Sequence, residues 1–410
     1  MQSWINPIDL PDNIRDEDGN GYQDDVNGWN FAEQNNLIID YKYLGMLDEK
    51  IKTFFAYQSK ALTGIASAEE MAWLKKQRQD KNFIKKLQIY GNFMHGTHVA
   101  GIAARESAAA KILVVKLIPT EVKLPGQKIT DKGLGIKLLK KGLGILAQQQ
   151  MVMLEEIAYY VANHKADVAN GSFGTGYAQA EVIIAMLFKT IMRRDPSPAE
   201  SKELVLHFLN TLIKEGKKMM TAAPATLFVF AAGNDGINND EFPTSPAGIK
   251  SDNSITVAAT TDISSLATFS NYGVKTVEVA APGVAISSTV PGNQYLKVSG
   301  TSQAAPYVAN IASKVKDANP GLSAKQVKKI LMETVDIKGF LKNHVSTSGL
   351  VNGERAIRAA EISKNKTLGE ATLQARAEIA DQTSNGQEQY LSPHPAARNF
   401  VLPLPSNFKL

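Results

Sequence analysis

The 410-residue chain contains no cysteine. That excludes disulfide staples, zinc–thiolate centres and a cysteine nucleophile together, and it removes thiol usage as a guide to redox compartment. No apolar run approaches the roughly 18 residues of a membrane-spanning helix. The opening Met1-Gln2-Ser3-Trp4 has no basic segment followed by an apolar stretch, so no signal peptide is legible. Charge of one sign is also scarce. The balance of 45 Lys and Arg against 40 Asp and Glu leaves +5, a small excess for this length. No Lys/Arg cluster is dense enough to suggest nucleic acid as a partner. What the chain does have is 44% apolar and 21% charged residues, the composition of a globular protein with a sizeable core.

Residues 1–31 are rich in Asp, Asn and Gly and read as loop. Residues 33–91 are rich in Lys, Glu and Gln and read as a helical insertion. Within it, Ser67 and Glu70 form a capping box that opens a helix carrying Met71, Trp73 and Leu74. Residues 110–118 read as a buried strand. Residues 151–164 read as a helix with Leu154, Ile157, Ala158 and Val161 on one face. Ser197-Pro-Ala-Glu200 opens another helix, whose stripe is Leu204, Val205, Phe208, Leu209, Leu212 and Ile213. Gly216 is expected to end it. Short strands are expected at 166–169, 227–232, 254–259 and 277–281.

Strands that are apolar throughout and alternate with helices predict an α/β fold. Its expected form is three layers, a mostly parallel sheet with helices on both faces. The expected organisation is a domain over 1–350 and a C-terminal helix with an irregular tail over 351–410. The last stretch, from Ser392 through Pro403-Leu-Pro405, reads as an extended strap or as disorder.

Three segments carry chemistry. In His95-Gly-Thr-His98-Val-Ala-Gly101, small residues follow the first His and an apolar helical run, Val99 to Ala104, comes next, which suits an imidazole presented at a helix N-terminus. His95 and His98 could also form a metal pair at i,i+3, or be two ordinary polar histidines. Ser299-Gly-Thr-Ser302 opens a helix that bears Ala304, Val308, Ile311, Ala312 and Val315 and has Pro306 near its first turn. A serine there has an exposed hydroxyl beside free N–H groups that favour negative charge, although plain N-capping is the commoner use. Ala231-Ala-Gly-Asn234-Asp-Gly236 follows an apolar strand. An Asn at a strand's carboxyl end can donate its amide to an oxyanion, or simply make a turn.

Taken together, these segments resemble the subtilisin-like serine proteases, the subtilases of peptidase family S8. His95-Gly-Thr-His-Val-Ala-Gly101 resembles the family's histidine motif, and Gly300-Thr-Ser302-x-Ala-x-Pro306 its serine motif. Ala231–Gly236 resembles the oxyanion segment, Asp167-Val-Ala-Asn-Gly-Ser172-Phe-Gly174 the substrate-binding strand, and Ala280-Ala-Pro-Gly283 also matches. The resemblance implies a serine endopeptidase. Ser302 would attack the peptide carbonyl, and His95 would take its proton, within hydrogen-bond reach. Asn234 and the Ser302 N–H would hold the oxyanion. Ser172, Phe173 and Gly174 would pair with substrate as an added strand, flanking a pocket with Ala232 and Gly233. The expected partners are protein or peptide substrates, with no nucleic acid, no membrane span and a monomeric chain. A secreted or cell-envelope location follows from the resemblance alone.

One part of the pattern is missing. The family's Asp, which precedes the His along the chain, has no counterpart motif here. The expectation is an N-terminally incomplete peptidase domain whose Asp lies upstream of this numbering, with a gap in the sheet as the consequence. Asp40, after Leu37-Ile-Ile39, is a weak substitute. A catalytically impaired pseudoprotease that binds peptides is the alternative, and a metal-dependent hydrolase using His95 and His98 a more distant one. No cofactor is needed for the chemistry. The Asp16–Asp25 stretch, with oxygen donors at alternate positions around glycines, could hold calcium as a structural ion.

Overall fold

The computed structural model describes residues 3–121, 136–383 and 392–406. Two parts of the tail expected over 351–410, at 384–391 and 407–410, therefore lie outside the described residues. The elements run β1 (Gly28–Asn30), α1 (Glu49–Leu62), α2 (Ala68–Gln79), α3 (Lys81–Ala103), β2 (Val114–Lys116), α4 (Ile136–Asn163) and β3 (Val168–Gly171). Then come α5 (Tyr177–Met192), α6 (Pro198–Ala222), β4 (Leu227–Ala231), β5 (Ser254–Thr261), β6 (Ser265–Leu266) and β7 (Val279–Pro282). A hairpin, β8 (Ile286–Val290) and β9 (Gln294–Val298), leads into α7 (Thr301–Ala318) and α8 (Ala324–Glu333). The order closes with β10 (Asp336–Ile337), β11 (Gly349–Leu350), α9 (Gly353–Ile362) and α10 (Leu368–Glu378).

The main sheet has the order β10-β11-β7-β5-β4-β3, with β6 on β5. The pairs from β3 to β11 along this path are parallel, and only β10 and β6 are antiparallel. All five residues of β4 and all eight of β5 are buried, as strands covered on both faces must be. Successive side chains of β4 point to opposite faces. Leu227, Val229 and Ala231 join a core with α1–α3 and α7–α10, while Phe228 and Phe230 join a second core with α4–α6. Three layers therefore form, as expected.

Strands β1 and β2 form a separate two-stranded sheet, with Gly28 opposite Val114, and β3 is the edge of the main sheet among the described residues. Among the described residues, no strand joins this pair to the main sheet. The strand expected over 110–118 shrinks to three half-buried residues, and its partner comes from a region read as loop. At Gly28, with φ +126°, a Cβ would lie 2.0 Å from the Val114 carbonyl oxygen, so only glycine fits against this neighbour.

Two helices outrun their sequence signals. His95 was expected at a helix N-terminus, yet α3 starts at Lys81, capped by Asp80, whose carboxylate accepts from the Asn82 and Phe83 N–H groups. His95 lies in its interior. The glycine at 101 marks a close approach rather than a break: a Cβ there would sit 2.3 Å from Thr289 Oγ1. Likewise α6 runs past Gly216, where a Cβ would lie 2.4 Å from Ile249 Cδ1. Residue 91 falls inside α3, and Phe54, Phe55, Leu62, Met71 and Leu74 of α1 and α2 are buried in the same core as α7. The capping boxes at Ser67/Glu70 and Ser197/Glu200 form as read. Among the described residues after 351 there are two α-helices rather than one, and a short helical turn at Ala397–Phe400.

Candidate active site

The chain leaves β9 through Ser299 and Gly300 and enters α7, which puts Ser302 in the first helical turn. Pro306 has a specific consequence there. It lacks the N–H that would bond back to the carbonyl four residues earlier, that of Ser302. The Ser172 hydroxyl donates to that carbonyl instead, at 3.0 Å. In return, Ser302 Oγ donates to the Ser172 carbonyl at 3.4 Å. The segment after β3 and the start of α7 are thereby locked side by side.

Asn234 follows β4. Its Oδ1 accepts from the Thr301 N–H at 2.9 Å and from Thr301 Oγ1 at 2.8 Å. Both donors belong to the start of α7, so the amide cannot flip without losing them, and Nδ2 must point away from the helix. It donates to the carbonyl of Leu402, 2.9 Å away. Thr301 was not singled out in the sequence, because its role is to orient Asn234 and no motif encodes that.

His95, Asn234 and Ser302 line one cavity of about 200 Å³, together with Asn92, Gln179, Gln303 and residues 402–406. The expected hydrogen bond between His95 and Ser302 is not made. His95 Nε2 is buried with no hydrogen-bond partner, and Ser302 Oγ is turned to Ser172. Burial pushes the His95 imidazole down to about 4, with neighbouring His98 adding to the effect. The ring is therefore neutral at pH 7 and able to accept a proton.

His98 is engaged elsewhere. Nε2 lies 3.0 Å from the Leu296 carbonyl, which makes it the protonated nitrogen, and Nδ1 faces Gln303 Nε2 at 3.5 Å. Both nitrogens are occupied, so a His95–His98 metal pair is not available. Asp40 accepts from the Lys42 N–H at a short helical turn and pairs with Lys42 at 3.0 Å. It is not among the cavity residues. Neither is any other carboxylate, among the described residues.

The residues expected to bind substrate divide. The Gly174 N–H reaches the cleft and donates to the Pro405 carbonyl at 3.0 Å. Ser172 serves the serine turn, and Phe173 packs against the α4–α6 core. Ala232 and Gly233 do not line the cavity. The Ala232 N–H bonds to Val257 and its carbonyl accepts from Asn239, while the Gly233 N–H donates to Thr301 Oγ1. Their polar groups hold the scaffold and leave none for a ligand.

The acidic loop folds around two overlapping groups, Asp9, Asp16 and Asp18, and Asp18, Asp25 and His164, with one ligand atom from each within 4.8 Å of the others in its group. Asp9 lies outside the stretch singled out in the sequence. Its Oδ2 is buried with no partner, and burial raises its pKa.

The sequence matches the Subtilase family, peptidase S8, over residues 42–375. The chain belongs to this family. Among relatives, it is 42% identical over 136 residues to alkaline elastase YaB of Bacillus sp. (strain YaB), covering 33% of this chain and 34% of that protein. It is 30% identical over 243 residues to M-protease of Shouchella clausii (strain KSM-K16), covering 57% of this chain and 58% of that one. The subtilase therefore spans about a third and a little over half of these relatives. A solved structure of a cold adapted subtilisin-like serine proteinase aligns at 25% identity over 63% of this chain and 72% of that one, with a TM-score of 0.40. Both the acidic loop before residue 26 and the segment after 391 fall outside the region of this subtilase that matches the family.

Proposed function

We propose that the chain is a serine endopeptidase in which Ser302 is the nucleophile, His95 the base and Asn234 the oxyanion donor. The observation that carries this reading is the single cavity on which all three converge, with the Asn234 amide held by Thr301 so that its N–H faces the space. Ser302 Oγ adds to the carbonyl carbon of the substrate and its proton passes to neutral His95. Asn234 Nδ2–H stabilises the oxyanion. His95 then delivers the proton to the leaving amine, and water hydrolyses the acyl-enzyme by the reverse sequence. Substrate extends along Gly174, where a peptide carbonyl takes the N–H that now donates to Pro405. Protein or peptide substrates, a monomeric chain and a secreted or cell-envelope site of action accompany this reading. The last rests on family likeness; no helix among the described residues is long and apolar enough to cross a membrane.

The size of the Ser302→Ala effect tests the reading. In subtilisin, a relative, removing the serine costs about 2 × 10⁶ in kcat, and removing the aspartate alone about 3 × 10⁴. A Ser–His pair working with no carboxylate therefore keeps roughly 10² for the serine to supply. That is the loss expected here on a peptide substrate. No loss at all would refute a nucleophilic Ser302, whereas a 10⁶-fold loss would show that a carboxylate reaches His95. The absence of a carboxylate from the cavity lining favours a second reading, a weakly active or inactive peptide-binding protein, for which Ser302→Ala leaves peptide affinity unchanged.

We also propose a calcium ion in the acidic loop. The unpartnered, buried Oδ2 of Asp9 beside Asp16 and Asp18 gives an anionic oxygen donor set that fits a hard cation. Calcium is expected to raise the thermal midpoint of the apo chain, and Asp9→Asn to abolish that rise; an equal rise in the variant excludes this site.

A further inference from the structure

We propose that residues 401–406 are a built-in inhibitor that lies in the cleft where a peptide substrate would bind, a reading that rests on the peptidase assignment of the same cavity. The strap follows a short helical turn at Ala397–Phe400, which is anchored away from the cavity. Ala397 and Phe400 are buried in the main core. Gln58 Nε2 of α1 donates to the Phe400 carbonyl at 2.6 Å, and the His394 N–H donates to the Ala61 carbonyl at 3.2 Å.

From that anchor the chain crosses the cavity in extended form. The Leu402 carbonyl accepts from Asn234 Nδ2, the Leu404 carbonyl from Gln179 Nε2 at 3.0 Å and the Pro405 carbonyl from the Gly174 N–H. Ser406 Oγ lies 2.8 Å from Thr175 Oγ1. Two of these donors, Asn234 and Gly174, are groups assigned here to substrate. The strap therefore cannot coexist with a peptide that uses them.

The strap's sequence suits this role. Pro403 and Pro405 have no N–H, so the segment presents carbonyl acceptors to a cleft that offers donors and brings fewer of its own donors to satisfy. Two prolines restrict the chain to extended conformations before it docks, which lowers the entropy lost on binding. Leu404 is buried, and Leu402 Cδ1 packs against Gly91 of α3, the helix that carries His95. Tethering to α1 holds the segment at a high effective concentration, so free peptide must compete with an intramolecular ligand.

The test is made on the full chain. Leu402→Asp/Leu404→Asp places two carboxylates in an apolar cleft and should displace the strap. Its fluorophosphonate labelling rate and its kcat/KM on a peptide substrate should both rise at least about tenfold over the unsubstituted chain. Gln58→Leu, at the anchor and outside the cavity, should shift both in the same direction. The acetylated, amidated peptide Val-Leu-Pro-Leu-Pro-Ser should inhibit the double variant competitively, and the same peptide with both leucines replaced by aspartate should not. Equal, measurable rates in all three proteins overturn the inhibitor while leaving the peptidase intact. No labelling and no hydrolysis in any of them, with cooperative thermal unfolding retained, overturns the peptidase reading itself.

Discussion

Asn234→Ala is expected to lower kcat by roughly 10²–10³ while leaving KM nearly unchanged, the magnitude known for removal of the oxyanion-hole asparagine in subtilisin, a member of the same family. The reason is geometric. Thr301 holds Oδ1 from two directions, so Nδ2 is already aimed before substrate arrives and no reorganisation is needed when charge develops on the carbonyl oxygen. Alanine also strands the Thr301 N–H and hydroxyl, both buried, so some loss of stability accompanies the kinetic effect. Asn234→Asp separates the two. It retains oxygen acceptors for Thr301 but replaces the donor by a carboxylate oxygen that repels the Leu402 carbonyl, so the Thr301 contacts are kept while kcat falls at least as far. Steady-state kinetics beside thermal unfolding of both variants decides it. An Asp variant with unchanged kcat would refute the oxyanion role.

The largest expected effect on stability lies far from the cleft. Arg355 of α9 is 2% exposed and makes six hydrogen bonds to five acceptors. Nε and Nη2 donate to the Ile379 carbonyl, Nη1 to the Thr334 and Val335 carbonyls and to Asp336 Oδ1, and Nη2 also to Asp381 Oδ1. The Asp336 side chain is fully buried and receives further hydrogen bonds from Asn352 and Gln382. Arg355→Met fills a similar volume but leaves Asp336 charged, buried and without its counter-ion. Breaking a buried pair in this one-sided way costs about 3–5 kcal/mol. Denaturant unfolding should show that loss as a lowered midpoint. Replacing both partners, Arg355→Met/Asp336→Leu, should recover part of it. A single-variant loss below about 1 kcal/mol would contradict the account.

The layered α/β fold was legible because β4 is apolar from end to end and β5 carries only small hydroxyl residues among its apolar ones, as a sheet covered on both faces requires. The capping boxes at Ser67 and Ser197 were legible for a local reason: each satisfies helix N–H groups within four residues of sequence. Helix extents were less legible. Gly216 looks like a stop, yet it admits a neighbour too close for a Cβ, and sequence carries no record of neighbours. Helix α5, apolar around much of its circumference, shows no single stripe and went unread. At the site, His95, Asn234 and Ser302 were placed by their motifs and meet in one cavity. Thr301 and Pro306 stand in the serine motif, but their positioning roles were not legible, because Thr301 bonds to Asn234 and Pro306 leaves the Ser302 carbonyl to Ser172, both far along the chain. The strap was readable as extended from its prolines. Its place over the cleft depends on donors from α1, α5 and the segments that follow β3 and β4, which no local pattern joins.

The most direct measurement of the central claim is fluorophosphonate labelling of the folded 410-residue chain, with the adduct located by mass spectrometry. The account predicts a single adduct, on Ser302, formed slowly in the unsubstituted chain and faster in Leu402→Asp/Leu404→Asp, and absent from Ser302→Ala. A folded chain that takes no label in either strap background, or takes it on another residue with Ser302 unmodified, would contradict it.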